Sequence, residues 1–472
     1  MKLSEIIKDM GITAAFEDKE VAFITDNSAK IGEGCIFVCI EGKRFDGHTK
    51  AAEALEKGAA AIVVQKDMGL PNQILVENTR SAYAYICAAF YGHPERRLKI
   101  IGVTGTNGKT TTCFIIKSVL DGMGHKTGLI GTVKNIVGDR EYEASLTTPD
   151  CNDLFALFKE MADYGCEYCV MEVSSQALDQ RRVDGIHFDA AIFTNLTQDH
   201  LDYHGTFEAY KAAKHMLFEN SSLAVVNIDD ESAEYMLEGT SCRNVTFSIN
   251  SDKCDYSAKN IRISASGVKY ELLGTGGIGR IHFGVPGKFS VYNSMGAAAC
   301  LVEMGMDFKA VLDSLVACKG IPGRMEVVPT DTPYTVIIDY AHTPDGLENV
   351  LGCVREITEG RVITVFGCGG DRDKSKRPIM GKIAAEYSDK VIITSDNART
   401  ESPLSIAKDT LNGIENADVD IILDRERAIH YAMDIARKGD LIMLLGKGHE
   451  TYMEKDGKRT YFNERDIVMS HK

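Results

Sequence analysis

The sequence predicts an α/β protein of three domains: a small N-terminal α/β domain, a central P-loop domain with a parallel sheet, and a C-terminal Rossmann-like domain. Three observations carry this expectation. The chain has 472 residues, more than one hydrophobic core usually serves. Short apolar runs alternate with helical stretches, the pattern of parallel sheets covered by helices. Two turn-rich breaks, Gly92-His93-Pro94-Glu95-Arg96-Arg97 and Lys319-Gly320-Ile321-Pro322-Gly323-Arg324, interrupt the alternation and give expected domains of 1–97, 98–321 and 322–472.

In the first domain, strands are expected over 35–40 and 60–64, with a helix over 51–57 between them. The central domain should place strands over 100–104, 168–173, 190–194 and 224–227 in a parallel sheet. In the last, strands over 335–339, 362–366, 391–394 and 441–445 read as a second doubly wound sheet.

Composition narrows the function classes. A hydrophobic fraction of 44% with 26% charged residues is that of an ordinary folded chain. The net charge of −15, without a Lys/Arg block, argues against a nucleic-acid or anionic-membrane surface, so an anionic ligand must be held by local basic groups. Thirteen cysteines lack zinc-ribbon or disulfide-scaffold spacing and read as reduced thiols. The N-terminus mixes charge into its apolar positions, unlike a signal peptide, and no run reaches membrane-spanning length. A cytoplasmic location is expected.

The strongest motif is Gly105-Thr106-Asn107-Gly108-Lys109-Thr110-Thr111, which follows an apolar strand and opens a helix. Backbone N–H groups and the helix dipole there point at phosphates, Lys109 would reach the outer phosphates and Thr110 would hold Mg²⁺, so ATP is the expected ligand. The general pattern wants Gly where Val103 stands. Glu172 ends an apolar strand at the carboxyl edge of the sheet, where it reads equally as a metal ligand or as a cap for Ser174-Ser175. Asp199-His200-Leu201-Asp202-Tyr203-His204 crowds acids and imidazoles into one loop, suited to metal or phosphate. On the next helix Phe207, Tyr210, Lys214 and Phe218 share a face, so Lys214 sits on an apolar stripe, where a lysine ordinarily snorkels to water. Gly367-Cys368-Gly369-Gly370 does not have dinucleotide spacing.

Together the phosphate loop, Met171-Glu172-Val173-Ser174-Ser175, Asp199-His200-Leu201-Asp202-Tyr203-His204-Gly205, Ala213-Lys214, Asn293, Gly323-Arg324-Met325-Glu326 and Asp339-Tyr340-Ala341-His342-Thr343-Pro344-Asp345 resemble the Mur ligases of peptidoglycan precursor synthesis. The resemblance covers nearly the whole chain. Gly369-Gly370-Asp371-Arg372, Asp396-Asn397-Ala398-Arg399 and Gly446-Lys447-Gly448-His449-Glu450 are similar to the members that add the third residue of the peptide.

The resemblance implies an ATP-dependent amide-forming ligase. ATP phosphorylates the D-glutamate γ-carboxylate of UDP-N-acetylmuramoyl-L-alanyl-D-glutamate, and the amine of an amino acid displaces phosphate. It implies Thr110, Glu172, His200 and Lys214, the last as a carbamate, as metal ligands for Mg²⁺, since an ammonium cannot ligate a hard cation and a carbamate can. Asn293, Arg324 and Asp339 match ATP-contacting positions. Ser28, Lys43, Arg44 and Phe45 match the nucleotide end of the UDP-sugar peptide, and Thr147, Thr148, Ser174, Gln180 and Arg182 its peptide end. Arg372, Asp396, Asn397, Arg399, Gly446 and Glu450 match the amino-acid pocket. Arg399 favours meso-diaminopimelate, whose distal carboxylate it can fork onto, while Glu450 suits the distal ammonium. The family's motif has Pro at Ala398. The competing readings are the lysine-adding enzyme, a folyl-polyglutamate ligase, and, from another class, an ATP-driven switch. A monomer is expected.

Overall fold

The computed structural model describes residues 1–8, 16–42, 45–318 and 321–471. Lys43, Arg44, Lys319 and Gly320, and the side chain of Asp202, lie outside the described residues. The chain forms two compact units, residues 1–256 with 296–306, and residues 257–295 with 307–472.

The first unit holds two sheets. Phe23–Thr25, Cys35–Val38, Ala61–Val64 and Gln73–Leu75 pair in that order, all parallel. In the larger sheet Arg243–Ser248, Leu223–Asn227, Ala190–Phe193, Lys99–Thr104, Tyr168–Glu172 and Thr127–Ile130 lie side by side and parallel. Lys134–Val137 and Arg140–Glu143 extend it antiparallel, an addition that the expected strand–helix alternation did not contain. Leu98, Ile100, Phe155, Phe158 and Phe188 share one buried core with Ile24, Ile36, Val63 and Ile86, so the small sheet is fused to the large one. Each large aliphatic side chain fully buried there contributes about 1.5–3 kcal/mol.

Strand order places the site. Lys99–Thr104 lies between Tyr168–Glu172 and Ala190–Phe193, with Val103 opposite Glu172 and Thr104 opposite Phe193. The chain leaves the central strand in one direction and returns on its other side, so the carboxyl ends of these three strands flank a crevice at a topological switch point.

In the second unit Glu326–Val328, Thr335–Asp339, Leu441–Leu445, Val362–Phe366, Lys390–Ile393 and Val419–Ile421 form a six-stranded sheet, parallel except for the antiparallel first strand. Thr343 caps Pro344–Ile357 by accepting from the Gly346 N–H, and Pro344 opens the helix, as the sequence predicts. Gly267–Gly274 pairs antiparallel with Tyr256–Ser264 and with Gly277–Phe283, a meander that the reading of 98–321 as strand–helix alternation missed. Its strands carry many half-buried and exposed residues, a weaker signal than the continuous apolar runs of the parallel strands.

Candidate active site

The phosphate loop leaves Lys99–Thr104 and enters the helix Lys109–Gly122 through Gly108, at φ 87°. Gly105 has φ 149°, and a Cβ there would stand 1.9 Å from Thr194 Oγ1, so only glycine fits beneath the neighbouring strand end. That strand end holds the loop. Thr194 Oγ1 donates to the Asn107 carbonyl at 2.6 Å, Asn195 Oδ1 accepts from the Asn107 N–H at 2.9 Å, and the Thr106 N–H donates to the Asn195 carbonyl at 2.8 Å. Thr194 and Asn195 were not among the expected site residues.

Lys109 turns back over its own loop, with Nζ 2.9 Å from the Gly105 carbonyl and 2.8 Å from that of Thr106. Lys214 is 1% exposed and does not snorkel. Its helix, Phe207–Glu219, is capped by Thr206, and its Nζ donates to the Gly105 carbonyl at 2.8 Å, 4.6 Å from the Tyr210 ring centre. Burial, and then the charge of Lys109, push the Lys214 pKa well below the ordinary lysine value. Tyr210 in turn meets Thr106 Oγ1 through its hydroxyl at 3.1 Å, and the Thr197 N–H donates to the same Thr106 oxygen at 3.0 Å.

Glu172 is buried, and its carboxylate accepts three hydrogen bonds. Oε2 accepts from Thr110 Oγ1 at 2.9 Å and from Thr132 Oγ1 at 3.1 Å, while Oε1 accepts from the Thr132 N–H at 2.8 Å. It does not cap the helix Ser175–Asp179; Ser174 does that through its own hydroxyl. Thr132 Oγ1 also meets Thr147 Oγ1 at 3.0 Å, so a chain of oxygens runs from the phosphate loop to the expected peptide-end residues. The signal for Thr132 was the Gly131-Thr132 pair at the end of Thr127–Ile130. A Cβ at Gly131 would meet Glu172 Oε1 at 2.4 Å, so the glycine admits the carboxylate.

The other peptide-end residues converge. Thr148 Oγ1 donates to the Glu172 carbonyl at 2.8 Å and accepts from the Ser174 N–H at 3.0 Å. Arg182 donates to the Thr148 carbonyl at 2.8 Å and to Gln180 Oε1 at 2.6 Å, and pairs with Asp150 at 3.0 Å. Gln180 reaches Tyr203, another residue not expected, at 3.0 Å. Ser28 starts a short 3₁₀ turn and Phe45 is 48% exposed.

His200 has φ 53°, lies 3.4 Å from Asp199 through Nε2 and stands edge-on to Tyr210. Among the described residues no three His, Cys, Asp or Glu side chains converge as a metal set. The oxygen donors that do meet, Thr110 and Glu172, have the hard chemistry that Mg²⁺ takes, while Lys214 as an amine does not.

In the second unit, Asn293 is buried on the helix Lys288–Glu303. Asp339 accepts from the Met325 and Ala341 N–H groups, each at 2.7 Å, and Arg324 lies over the Tyr340 ring. Burial raises the Asp339 pKa against the opposing charge of Arg324. Arg399 donates to the Gly370 carbonyl at 2.7 Å, and a Cβ on Gly369 would touch both Arg399 and Arg372, so the two guanidinium side chains flank one loop. Asn397 donates to Glu450 Oε2 at 2.9 Å, and Gly446 approaches Asp396 so closely that a Cβ would lie 2.8 Å from Oδ2. Lys447, absent from the expected set, is buried among them.

Three family models match in chain order: Mur ligase family, catalytic domain, over 20–91; Mur ligase middle domain over 103–301; and Mur ligase, glutamate ligase domain, over 323–448. The chain is 44% identical over 478 residues to a UDP-N-acetylmuramoyl-L-alanyl-D-glutamate--2,6-diaminopimelate ligase of Clostridium botulinum, covering 99% of each. It is 42% identical to the protein of that name in Bacillus licheniformis, covering 99% of this chain and 98% of the other. A solved structure of a UDP-N-acetylmuramoyl-L-alanyl-D-glutamate--2,6-diaminopimelate ligase superposes with a TM-score of 0.75 at 31% identity, covering 99% and 98%. The MurF ligase of Thermotoga maritima in complex with ADP shares the fold, with a TM-score of 0.60 at 20% identity over 91% and 94%. N-terminal, central and C-terminal domains thus follow one another as they do in these ligases, and with relatives this similar along almost their whole length the chain belongs to the Mur ligase family.

Proposed function

We propose that the chain joins meso-2,6-diaminopimelate to UDP-N-acetylmuramoyl-L-alanyl-D-glutamate, consuming ATP. The observation that carries this reading is Glu172, one carboxylate held by Thr110 of the phosphate loop and by Thr132, which meets Thr147. Phosphoryl donor and carboxylate acceptor would then lie on either side of one fixed group. The names of the similar full-length ligases supply the substrates.

A D-glutamate γ-carboxylate oxygen attacks the γ-phosphorus, the bond to ADP breaks, and an acyl phosphate forms. The amine of diaminopimelate then attacks the acyl carbon, phosphate leaves, and the nitrogen loses a proton. Lys109 and the N–H groups at the start of its helix, Gly108 to Thr111, receive the phosphates, Gly105, Thr106 and Asn107 shape the loop around them, and Asn293, Arg324 and Asp339 take the rest of ATP. Thr110, Glu172, His200 and Lys214 as a carbamate would hold Mg²⁺, which supplies charge neutralisation on the phosphate oxygens. The lowered pKa of Lys214 supports the modification, because only the neutral amine attacks CO₂. Thr147, Thr148, Ser174, Gln180 and Arg182 orient the peptide end, and Ser28, Lys43, Arg44 and Phe45 the uridine end. Arg372, Asp396, Asn397, Arg399, Gly446 and Glu450 take the amino acid, with Arg399 on its distal carboxylate. The domains proposed for these tasks are 1–97, 98–321 and 322–472.

A monomer in the cytoplasm fits a UDP-linked substrate. Among the described residues no helix is long and apolar enough to cross a membrane. The test is phosphate release with ATP, the UDP-dipeptide and either diaminopimelate or lysine. Release that requires the UDP-dipeptide and diaminopimelate together is expected. Preference for lysine would overturn the role of Arg399, and release with neither substrate would return the ATP-driven switch.

A further inference from the structure

Lys447 is wholly buried, and a buried ammonium must be paired. Its Nζ lies 2.6 Å from Glu450 Oε2 and 3.0 Å from Asn397 Oδ1, with the Tyr452 ring centre at 5.0 Å. Asn397 Oδ1 also accepts from the Glu454 N–H at 2.8 Å. Lys447 and that N–H are donors only, so together they turn the Asn397 carbonyl oxygen toward themselves and its NH₂ toward Glu450. The Asn397 Nδ2 contact at 2.9 Å completes the triangle on Glu450 Oε2. Glu450 is therefore charge-balanced from within the protein. Of the other charged residues assigned to the pocket, Arg399 and Arg372 flank Gly369 and Asp396 lies against Gly446, so two guanidinium groups against one carboxylate leave the pocket net positive.

We propose that Lys447 positions Asn397 and Glu450 and balances the Glu450 charge, so that the pocket admits a distal ammonium only when a carboxylate accompanies it. The proposal rests on the reading of Asp396 to Arg399 and Gly446 to Glu450 as the amino-acid pocket. Lysine would bring an uncompensated cation beside Lys447, Arg399 and Arg372; diaminopimelate brings a distal end of no net charge. Selection between the two thus resides in a lysine that reaches the substrate through other side chains, as well as in the arginine that would touch it.

The experiment is steady-state kinetics of the full chain carrying K447M, E450Q, K447M with E450Q, or R399A, with diaminopimelate and L-lysine as alternative substrates. K447M is expected to raise KM for diaminopimelate about tenfold, change KM for ATP and the UDP-dipeptide by less than about twofold, and shift relative kcat/KM about tenfold toward lysine. If K447M does not fold, the double variant, which leaves no unpaired buried charge, is compared with E450Q alone, and a further rise in KM for diaminopimelate over that of E450Q is expected; no difference between the two overturns the role of Lys447. An unchanged diaminopimelate KM and substrate ratio, or an equal rise in all three KM values, overturns the role of Lys447. An unchanged diaminopimelate KM in R399A overturns the pocket reading itself; an effect of R399A without one at Lys447 overturns the Lys447 proposal alone.

Discussion

Lys109 and Lys214 share one acceptor: their side-chain nitrogens lie 2.9 and 2.8 Å from the carbonyl oxygen of Gly105. Two ammonium groups on one oxygen repel, and the pKa of the buried one falls well below the ordinary lysine value, with burial the larger cause and Lys109 the second. Once deprotonated, Lys214 can still donate to Gly105 while keeping a lone pair for an electrophile.

In CO₂-free buffer this has a pH signature. Between the lowered folded value and the ordinary value of 10.5, the folded chain releases a Lys214 proton that the unfolded chain keeps, so stability rises with pH across that window. K214M removes that penalty. Urea unfolding should find K214M gaining on the parent at neutral pH, with the advantage shrinking by about 1.4 kcal/mol per pH unit as pH rises through the window. A pH-independent difference would mean that Lys214 folds charged.

K214A should lose most activity, and bicarbonate should not restore it, because no amine is left to modify. Full activity in K214A would remove the carbamate from the mechanism.

Glu172 accepts from three donors, and E172Q keeps the Thr132 N–H bond only by turning its NH₂ to the Thr110 and Thr132 hydroxyls, which must then reverse from donor to acceptor while the carboxylate charge is lost. Phosphate release should fall about a hundredfold, the scale of losing one electrostatic group at a phosphoryl-transfer site. The Mg²⁺ concentration giving half-maximal rate should rise as well. An unchanged Mg²⁺ dependence would place the metal away from Glu172.

G105A should be destabilised by about 2–3 kcal/mol, from a backbone held at φ 149° and a Cβ 1.9 Å from Thr194 Oγ1. Thr194 cannot yield without losing its bonds to the Thr104 and Asn107 carbonyls. A urea midpoint equal to that of the parent would show that the loop relaxes freely.

Arg425 and Glu464 form a wholly buried pair at 2.8 Å, and Arg425 also donates to the carbonyls of Ser395 and Leu445, the residues before Asp396 and Gly446. R425M should cost about 3–5 kcal/mol, because it strands a buried carboxylate, while R425M with E464L should recover much of it. Burial raises the Glu464 pKa, so the folded state takes up a proton before the unfolded one and stability falls as pH rises above the ordinary carboxyl range. R425M removes the charge that opposes this shift and should extend that fall to higher pH. Equal loss in the single and double variants would contradict the pairing argument.

The continuous apolar runs announced the strands over 335–339, 362–366 and 441–445 because both faces are buried. The phosphate loop, the Thr343-Pro344 helix start and the apolar stripe around Lys214 were equally legible, since each depends on neighbours within a few residues. The half-exposed meander from Tyr256–Ser264 to Gly277–Phe283 lacked that continuity and went unread.

By itself, then, the sequence determined the sheet-forming segments, the nucleotide loop and the residue types around it, because local propensity and apolar periodicity act over a few residues. Only the tertiary structure decided that Lys214 is buried against Gly105, 109 residues away, that Glu172 spans Thr110 and Thr132, and that Lys447 balances Glu450 beneath Asn397. Strand order and close packing bring such groups together. In the dry spaces they enclose, a charge must find a partner or give up its proton.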